Sequence, residues 1–259
     1  MHERLSFYVK RDSFIHRLNP LTKLTMVLGF VLIAFISPYY WTPHFLILLG
    51  VIPISFIGKV AKSYLNAAFR IILPAASFLF IMQGLFQPLK GAELFHIWFL
   101  HPTLASVMFA FLNATRIFVM VSSFTIFLLT THPSELMSDL TRRGIPGQFA
   151  YVIISTLQIL PQMQAKAQTI ISAQRSRGLD TESSYLKRAG ALFPLVGPLV
   201  FGSLVEVEER AIAIEARGFT STHVKTSLHD VPDTSLDKAV RWFFIALALI
   251  ALALRIWLS

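Results

Sequence analysis

The sequence predicts an all-α membrane protein, with about five transmembrane helices and a cytoplasmic-side module of amphipathic helices. Three observations carry this reading. The chain has 259 residues, of which 54% are hydrophobic and 14% charged, and its mean hydropathy is +0.62; soluble domains carry about 25% charged residues. Apolar runs recur at lengths approaching the roughly 20 residues that cross a hydrocarbon core about 30 Å thick. The net charge of +9 is unevenly spread along the chain, as it is when cytoplasmic loops collect Lys and Arg.

The elements follow in order. Met1 to Lys23 is basic and has no short apolar core before a small-residue cleavage site, so it is not read as a cleaved signal peptide. Asn19-Pro20 predicts a helix start, with Asn19 capping free N–H groups and Pro20 in the first turn. Apolar runs then span Leu24 to Ile36, Phe45 to Ile57 and Ile71 to Phe86. The first two are short, so tilt or local thinning of the bilayer is expected. Residues 88–103, with Glu93, His96, Trp98 and His101, suit a membrane–water interface. Leu104 to Leu129 is the longest span and carries Asn113, Thr115 and Arg116 near its middle.

The pattern changes after Thr131. Phe149 to Leu160 continues through Pro161 into a polar-rich stretch, and Ile153, Leu157, Leu160, Ala167 and Ile171 share one helix face. That spacing predicts an amphipathic helix rather than a span. Ala189 to Val205 is apolar but is expected to break at Pro194, Gly197 and Pro198. Residues 221–237 read as a loop, and a last apolar helix opens at Arg241-Trp242. The expected organisation is a membrane domain over 1–131 with four spans, a cytoplasmic module over 132–238, and a C-terminal transmembrane helix over 239–259. With the N-terminus inside, 20 of the 23 Lys and Arg residues fall on one side, which marks it as cytoplasmic. Seven spans would give the same end orientation, so charge alone does not exclude spans at 149–161 and 189–205.

Several chemistries are missing. The chain has no cysteine, no G-x-x-x-x-G-K-[ST] phosphate loop, no H-E-x-x-H and no G-x-S-x-G. It is therefore expected to be a non-catalytic membrane protein with no cofactor, no metal site and no nucleic-acid partner. Arg116 and Asn113 are assigned a structural, intramembrane role, with the guanidinium satisfied by Asn113 or by helix carbonyls. A secondary transporter that moves solute through its own core is the alternative. No inverted repeat supports it.

Two short motifs remain. Ser176-Arg177-Gly178 and Ala216-Arg217-Gly218 each follow a long helical stretch. Glycine suits the left-handed position that ends a helix, and the arginine then sits where the negative end of the helix dipole favours a cation. Each motif presents a planar, bidentate donor suited to an acidic cleft on another protein.

Taken in order, His16 to Leu24, Arg116, Thr130 to Leu136 and the two Arg-Gly motifs resemble the transmembrane T component of energy-coupling factor (ECF) transporters, a class of ABC importer. The resemblance spans nearly the whole chain. It implies two cytoplasmic ABC ATPase subunits docked on Ser176, Arg177, Gly178, Ala216, Arg217 and Gly218. It also implies a small membrane-embedded S component that captures a vitamin or transition-metal ion, with the 132–238 module coupling the two. Two positions depart from the family pattern: Ser176 stands where Ala is common, and Gln158 where Arg is common.

Overall fold

The computed structural model describes residues 8–9, 11–87, 89, 102–178, 185–219, 221 and 232–258, the side chains of 185–195 excepted. Among these residues every regular element is a helix, and there is no β-strand. The helices are α1 (Phe14–Arg17), α2 (Pro20–Ile36), α3 (Thr42–Ile57), α4 (Ala61–Phe86), α5 (Leu104–Thr130), α6 (Pro133–Arg142), α7 (Gly147–Ser176), α8 (Tyr185–Ala216) and α9 (Ser235–Leu258). The protein is an all-α membrane protein. α4, α5 and α9 are long and apolar enough to cross a bilayer, and α2 and α3 are shorter apolar helices. Glu93, His96, Trp98 and His101 lie outside the described residues.

Two compact units emerge. One comprises Ser6–Gly144 with Asp230–Ser259, and the other Ile145–His229. In the first, α4 packs on α5, and α2 packs on both α5 and α9. One core cluster gathers Val51, Val60, Tyr64, Ala68, Ile72, Ile126 and Leu129. Tyr64 is buried there, and its hydroxyl donates to Ser122 Oγ at 3.0 Å. A second cluster joins Phe30, Ala34 and Val119.

α2 starts as the sequence predicts. Asn19 Oδ1 accepts from Leu21 N at 2.9 Å, and Pro20 occupies the first turn. α4 begins at Ala61, well before the expected start at Ile71, because its basic first turns carry Lys62 and Arg70 and escape a purely apolar reading. α9 likewise begins six residues before Arg241. Thr234 and Asp237 form a capping box: Thr234 N donates to Asp237 Oδ2 at 3.0 Å, and Asp237 N donates to Thr234 Oγ1 at 3.3 Å. The stretch 235–237, read from sequence as loop, is therefore helix.

Both α3 and α4 contain a wide turn, at Leu46–Val51 and Ala68–Ile72. Each lies just before a proline, Pro53 or Pro74. A proline cannot donate to the carbonyl four residues back, and in the turn before each proline the helix widens to i→i+5 bonds, Ile52 N to Ile47 O and Leu73 N to Ala68 O.

Two glycines allow close helix approach. A Cβ on Gly29 would lie 2.8 Å from Phe244 Cδ1, and one on Gly50 would lie 2.4 Å from Phe30 Cε1. The Phe30 ring cannot easily yield, because it is buried and meets the Phe244 ring edge-on at 5.1 Å. Gly50→Ala should therefore destabilise the membrane unit by about 1–3 kcal/mol through overpacking. A thermal or denaturant melt of the detergent-solubilised protein measures this. Unchanged stability would show that the α2–α3 contact is softer than its geometry.

Candidate docking tips on a helical hairpin

Within the Ile145–His229 unit, α7 and α8 cross. Lys166 pairs with Glu206, and that ammonium holds the Glu206 carboxyl below the usual carboxylate range. Arg210 Nη2 donates to Gln162 Oε1 at 2.8 Å, and Ser203 Oγ donates to Met163 Sδ at 3.4 Å. Near the start of α7, the Tyr151 ring lies 5.3 Å from that of Phe219, just past the end of α8. From Tyr151–Phe219 through Gln162–Arg210 to Lys166–Glu206, the contacts advance along α7 as they retreat along α8, which defines an antiparallel pair.

α7 is one helix through Pro161, as the apolar spacing predicts. α8 corrects an expectation: it runs unbroken through Pro194, Gly197 and Pro198. The two prolines are four residues apart, so both missing donors fall along one strip of the helix and the remaining hydrogen-bond rows continue.

Both helices end as the motifs suggest. Gly178 has φ +90° and Gly218 has φ +72°. At the end of α8, Phe219 N donates to Ile214 O at 3.2 Å and Gly218 N donates to Glu215 O at 2.9 Å. This pair of bonds is a Schellman motif, which satisfies the last carbonyls and stops the helix. At the end of α7, Arg177 N and Gly178 N reach the carbonyls of Gln174 and Arg175, each at 3.0 Å. Ser176 Oγ donates back to Ser172 O at 3.2 Å, so the hydroxyl is absorbed by its own helix. Ala216, Arg217 and Gly218 are exposed, as are Ser176, Arg177 and Gly178.

The two arginines are alike in a further respect. Arg177 lies 11 residues past Lys166, and Arg217 lies 11 past Glu206. Measured from the Lys166–Glu206 pair, each tip thus lies about 16 Å along its own helix at roughly 1.5 Å per residue. Neither guanidinium makes an ion pair or side-chain hydrogen bond among the described residues.

The sequence contains a third helix end of this kind, which the motif reading did not single out. Arg143-Gly144 follows α6, and Gly144 has φ +109°. This arginine is engaged: it lies 3.7 Å from Asp139 and 3.2 Å from Asp233, and Arg241 also pairs with Asp233. Of these partners only Asp139, four residues before Arg143, was a signal available in the sequence.

Arg116 and Asn113 belong to the other unit. Arg116 Nε donates to Ala34 O at 3.0 Å, and its guanidinium lies 5.9 Å from the Phe35 ring centroid. Arg255 Nη1 donates to Phe35 O at 3.2 Å. Two cations therefore meet the carbonyl end of α2, where the dipole is negative. Asn113 Nδ2 instead donates to Gln83 Oε1 at 3.1 Å. Among the described residues no cluster of three or more His, Asp or Glu side chains could hold a metal.

The tip geometry makes a direct prediction. Gly218→Ala places a Cβ in a left-handed backbone, which costs roughly 1–2 kcal/mol. Hydrogen exchange at the Phe219 amide should then accelerate about 5–30-fold. Gly197→Ala, at a helical position with open space around it, should leave that amide unchanged or slower. Equal effects from both substitutions would contradict the cap assignment.

Residues 11–228 match the CbiQ family, described as cobalt transport protein. The chain is also similar to curated proteins named energy-coupling factor transporter transmembrane protein EcfT. It is 28% identical to that of Bacillus subtilis over 96% of both chains. It is 26% identical to that of Lactococcus lactis subsp. cremoris, again over 96% of both. A third, from Leuconostoc gelidum, is 28% identical over 97% of this chain and 96% of its own. With its helical membrane unit and its match over most of its length, this chain belongs to the CbiQ family of transport proteins.

Proposed function

We propose that this chain is the non-catalytic transmembrane coupling subunit of an ECF-type importer, and that its two Arg-Gly helix tips dock two cytoplasmic ABC ATPases. The observation that carries the reading is the pair of exposed arginines, Arg177 and Arg217, at capped helix ends, neither of them paired among the described residues. A guanidinium on a capped helix end is held in place by backbone hydrogen bonds and presents its fork outward. Two such forks, set at equal distances from one crossing, match a pair of similar acidic clefts. Arg143 supplies the contrast, since it is already paired with Asp139 and Asp233.

In this reading ATP-driven closure of the ATPases moves the two tips together, and the hairpin transmits the movement. Its exposed apolar side chains, among them Phe149, Val152, Phe201, Leu204 and Ile212, are the surface offered to a small membrane-embedded S component. That component selects the vitamin or transition-metal ion taken up. The module corresponds to residues 132–238, with the N-terminus and the tips cytoplasmic and five helices crossing the inner membrane. The paired tips favour this reading over a secondary transporter with a solute path through its own core.

Two experiments test it. Removing one partner of a buried, hydrogen-bonded charge pair costs on the order of 2–5 kcal/mol. Arg177→Glu or Arg217→Glu should weaken ATPase attachment by at least that much, and the double variant should abolish ATP-driven uptake. If the arginines serve only their own helix ends, reversal costs a few tenths to about 1 kcal/mol and attachment survives. Wild-type co-purification and uptake in the double variant would refute docking at these tips. Orientation is checked separately. Ser221→Cys should resist an impermeant thiol reagent applied to intact cells, and Lys90→Cys should react. The opposite labelling would reverse the topology.

A further inference from the structure

One groove in the membrane unit plays no part in the proposed coupling. It lies between α1, α2, α3 and α9, encloses about 540 Å³, and is lined by Phe14, Leu18, Met26, Ile54, Ile57 and Phe243, among others. The lining is almost entirely apolar. Phe14, Ile57 and Phe243 are each more than half exposed, so the groove opens outward, away from the core. At the roughly 30 Å³ that a water-sized group takes in a liquid, the space suits one acyl chain.

The groove sits where several helix ends meet: the start of α2, the end of α3 and the start of α9. Cations flank it at that level. Lys59 follows Ile57 by two residues, and Lys238 immediately precedes the lining residue Ala239. Both are exposed, and neither makes an ion pair or side-chain hydrogen bond among the described residues. Arg17 stands on the same rim, but its charge is met by Asp12 in a two-pronged pair at 3.0 Å. Asp12 also feels the charge of Lys59, and the rim keeps a positive surplus because Arg17, Lys59 and Lys238 outnumber it.

Lys59 is fixed at the rim by its own backbone. It is the only described non-glycine residue with positive φ, at +54°. A Cβ is unfavourable there, and glycine would hold the turn with less strain. Backbone bonds hold that conformation: Lys59 N donates to Phe56 O at 2.9 Å and Val60 N to Ser55 O at 3.1 Å, the Schellman end of α3. A basic pocket between membrane helices, apolar below and cationic above, has the form of an acidic-lipid site.

We propose that this groove binds one anionic phospholipid, with an acyl chain along Met26, Ile54 and Phe243 and the phosphate between Lys59 and Lys238. A partner's apolar helix would fill the same groove without using Lys59 and Lys238, so the charge favours the lipid.

The test counts lipids retained by the full-length chain and by its assembled complex, each purified from nanodiscs holding equal phosphatidylglycerol and phosphatidylcholine. Native mass spectrometry reads the count. Wild type should keep one phosphatidylglycerol in preference to phosphatidylcholine. Lys59→Ala and Lys238→Ala should each lower that preference about fivefold, the equivalent of roughly 1 kcal/mol per basic residue at a membrane surface. Val240→Trp, which fills the groove, should lose the lipid of either kind while a thermal melt shows the fold intact. If that variant unfolds, the two lysine variants still decide, since both positions are exposed. Equal retention of both lipids by wild type would overturn the proposal, as would unchanged preference in both lysine variants. Retention by the chain alone but not by the assembled complex would assign the groove to a protein partner and equally overturn it.

Discussion

The membrane unit depends on a buried polar knot where three helix ends converge. Lys23 is 3% exposed, and its ammonium donates to Thr130 O at 2.9 Å and to His16 O at 3.1 Å. It thereby ties α2 to the last carbonyls of α5. One turn earlier, the fully buried Asn19 donates its backbone N–H to Asp237 Oδ1 at 2.9 Å while its side chain caps α2. Asp237 is itself the third residue of the α9 capping box. A single short stretch, Asn19 to Lys23, thus fixes the start of α2, the end of α5 and the start of α9. Helix ends leave four donors or acceptors each without partners in their own helix. In an apolar setting those groups must find partners, and here they find one another.

The same constraint explains features that would be odd in a soluble protein. The wide turns before Pro53 and Pro74 keep carbonyls paired where water is scarce. Arg116 and Arg255 meet the carbonyl end of α2, which at 17 residues is about 26 Å long and falls short of a hydrocarbon core roughly 30 Å thick. Tyr39, Tyr40 and Trp41 follow that end and are all exposed, as rings at a membrane interface are. Arg116 is central in α5 by sequence, yet it lies level with a helix terminus. Its charge meets carbonyls and an aromatic face there, so no relay is needed to account for it.

How much of this was legible in the sequence follows from range. The fold class came from composition, the start of α2 from Asn19-Pro20, and the glycine ends of α7 and α8 from local spacing, because each is decided within a few residues. The unbroken course of α8 was not legible, since two prolines and a glycine argue for a break on local grounds alone. Nor were the partners of Lys23 and Asp237, which lie 107 and 218 residues away in the chain. The difference between Arg143 and the arginines of the two tips was only half visible, through Asp139 four residues before Arg143. A motif fixes the backbone of a helix end, whereas the charges that meet it come from elsewhere. Asp233, which meets Arg143, lies 90 residues along.

The hairpin itself is built unlike the membrane unit. Among its described residues only Ala150 is buried, while Phe149, Phe201 and Val207 are all at least 60% exposed. Its crossing is held by Lys166–Glu206 and Arg210–Gln162, polar pairs with water access, and such pairs contribute little stability. Two helices of 30 and 32 residues without a core between them cannot owe their stability to each other. Most helical stability comes from packing an apolar face, so these faces call for apolar surroundings beyond the hairpin. A weak crossing between two long, rigid, well-capped arms has a mechanical consequence. The angle between the arms can change with little loss of contact, while each tip stays fixed on its own helix by backbone bonds. In the proposed coupling role, stiff arms and a weakly held crossing would let force applied at the ends move the apolar faces without unfolding either helix.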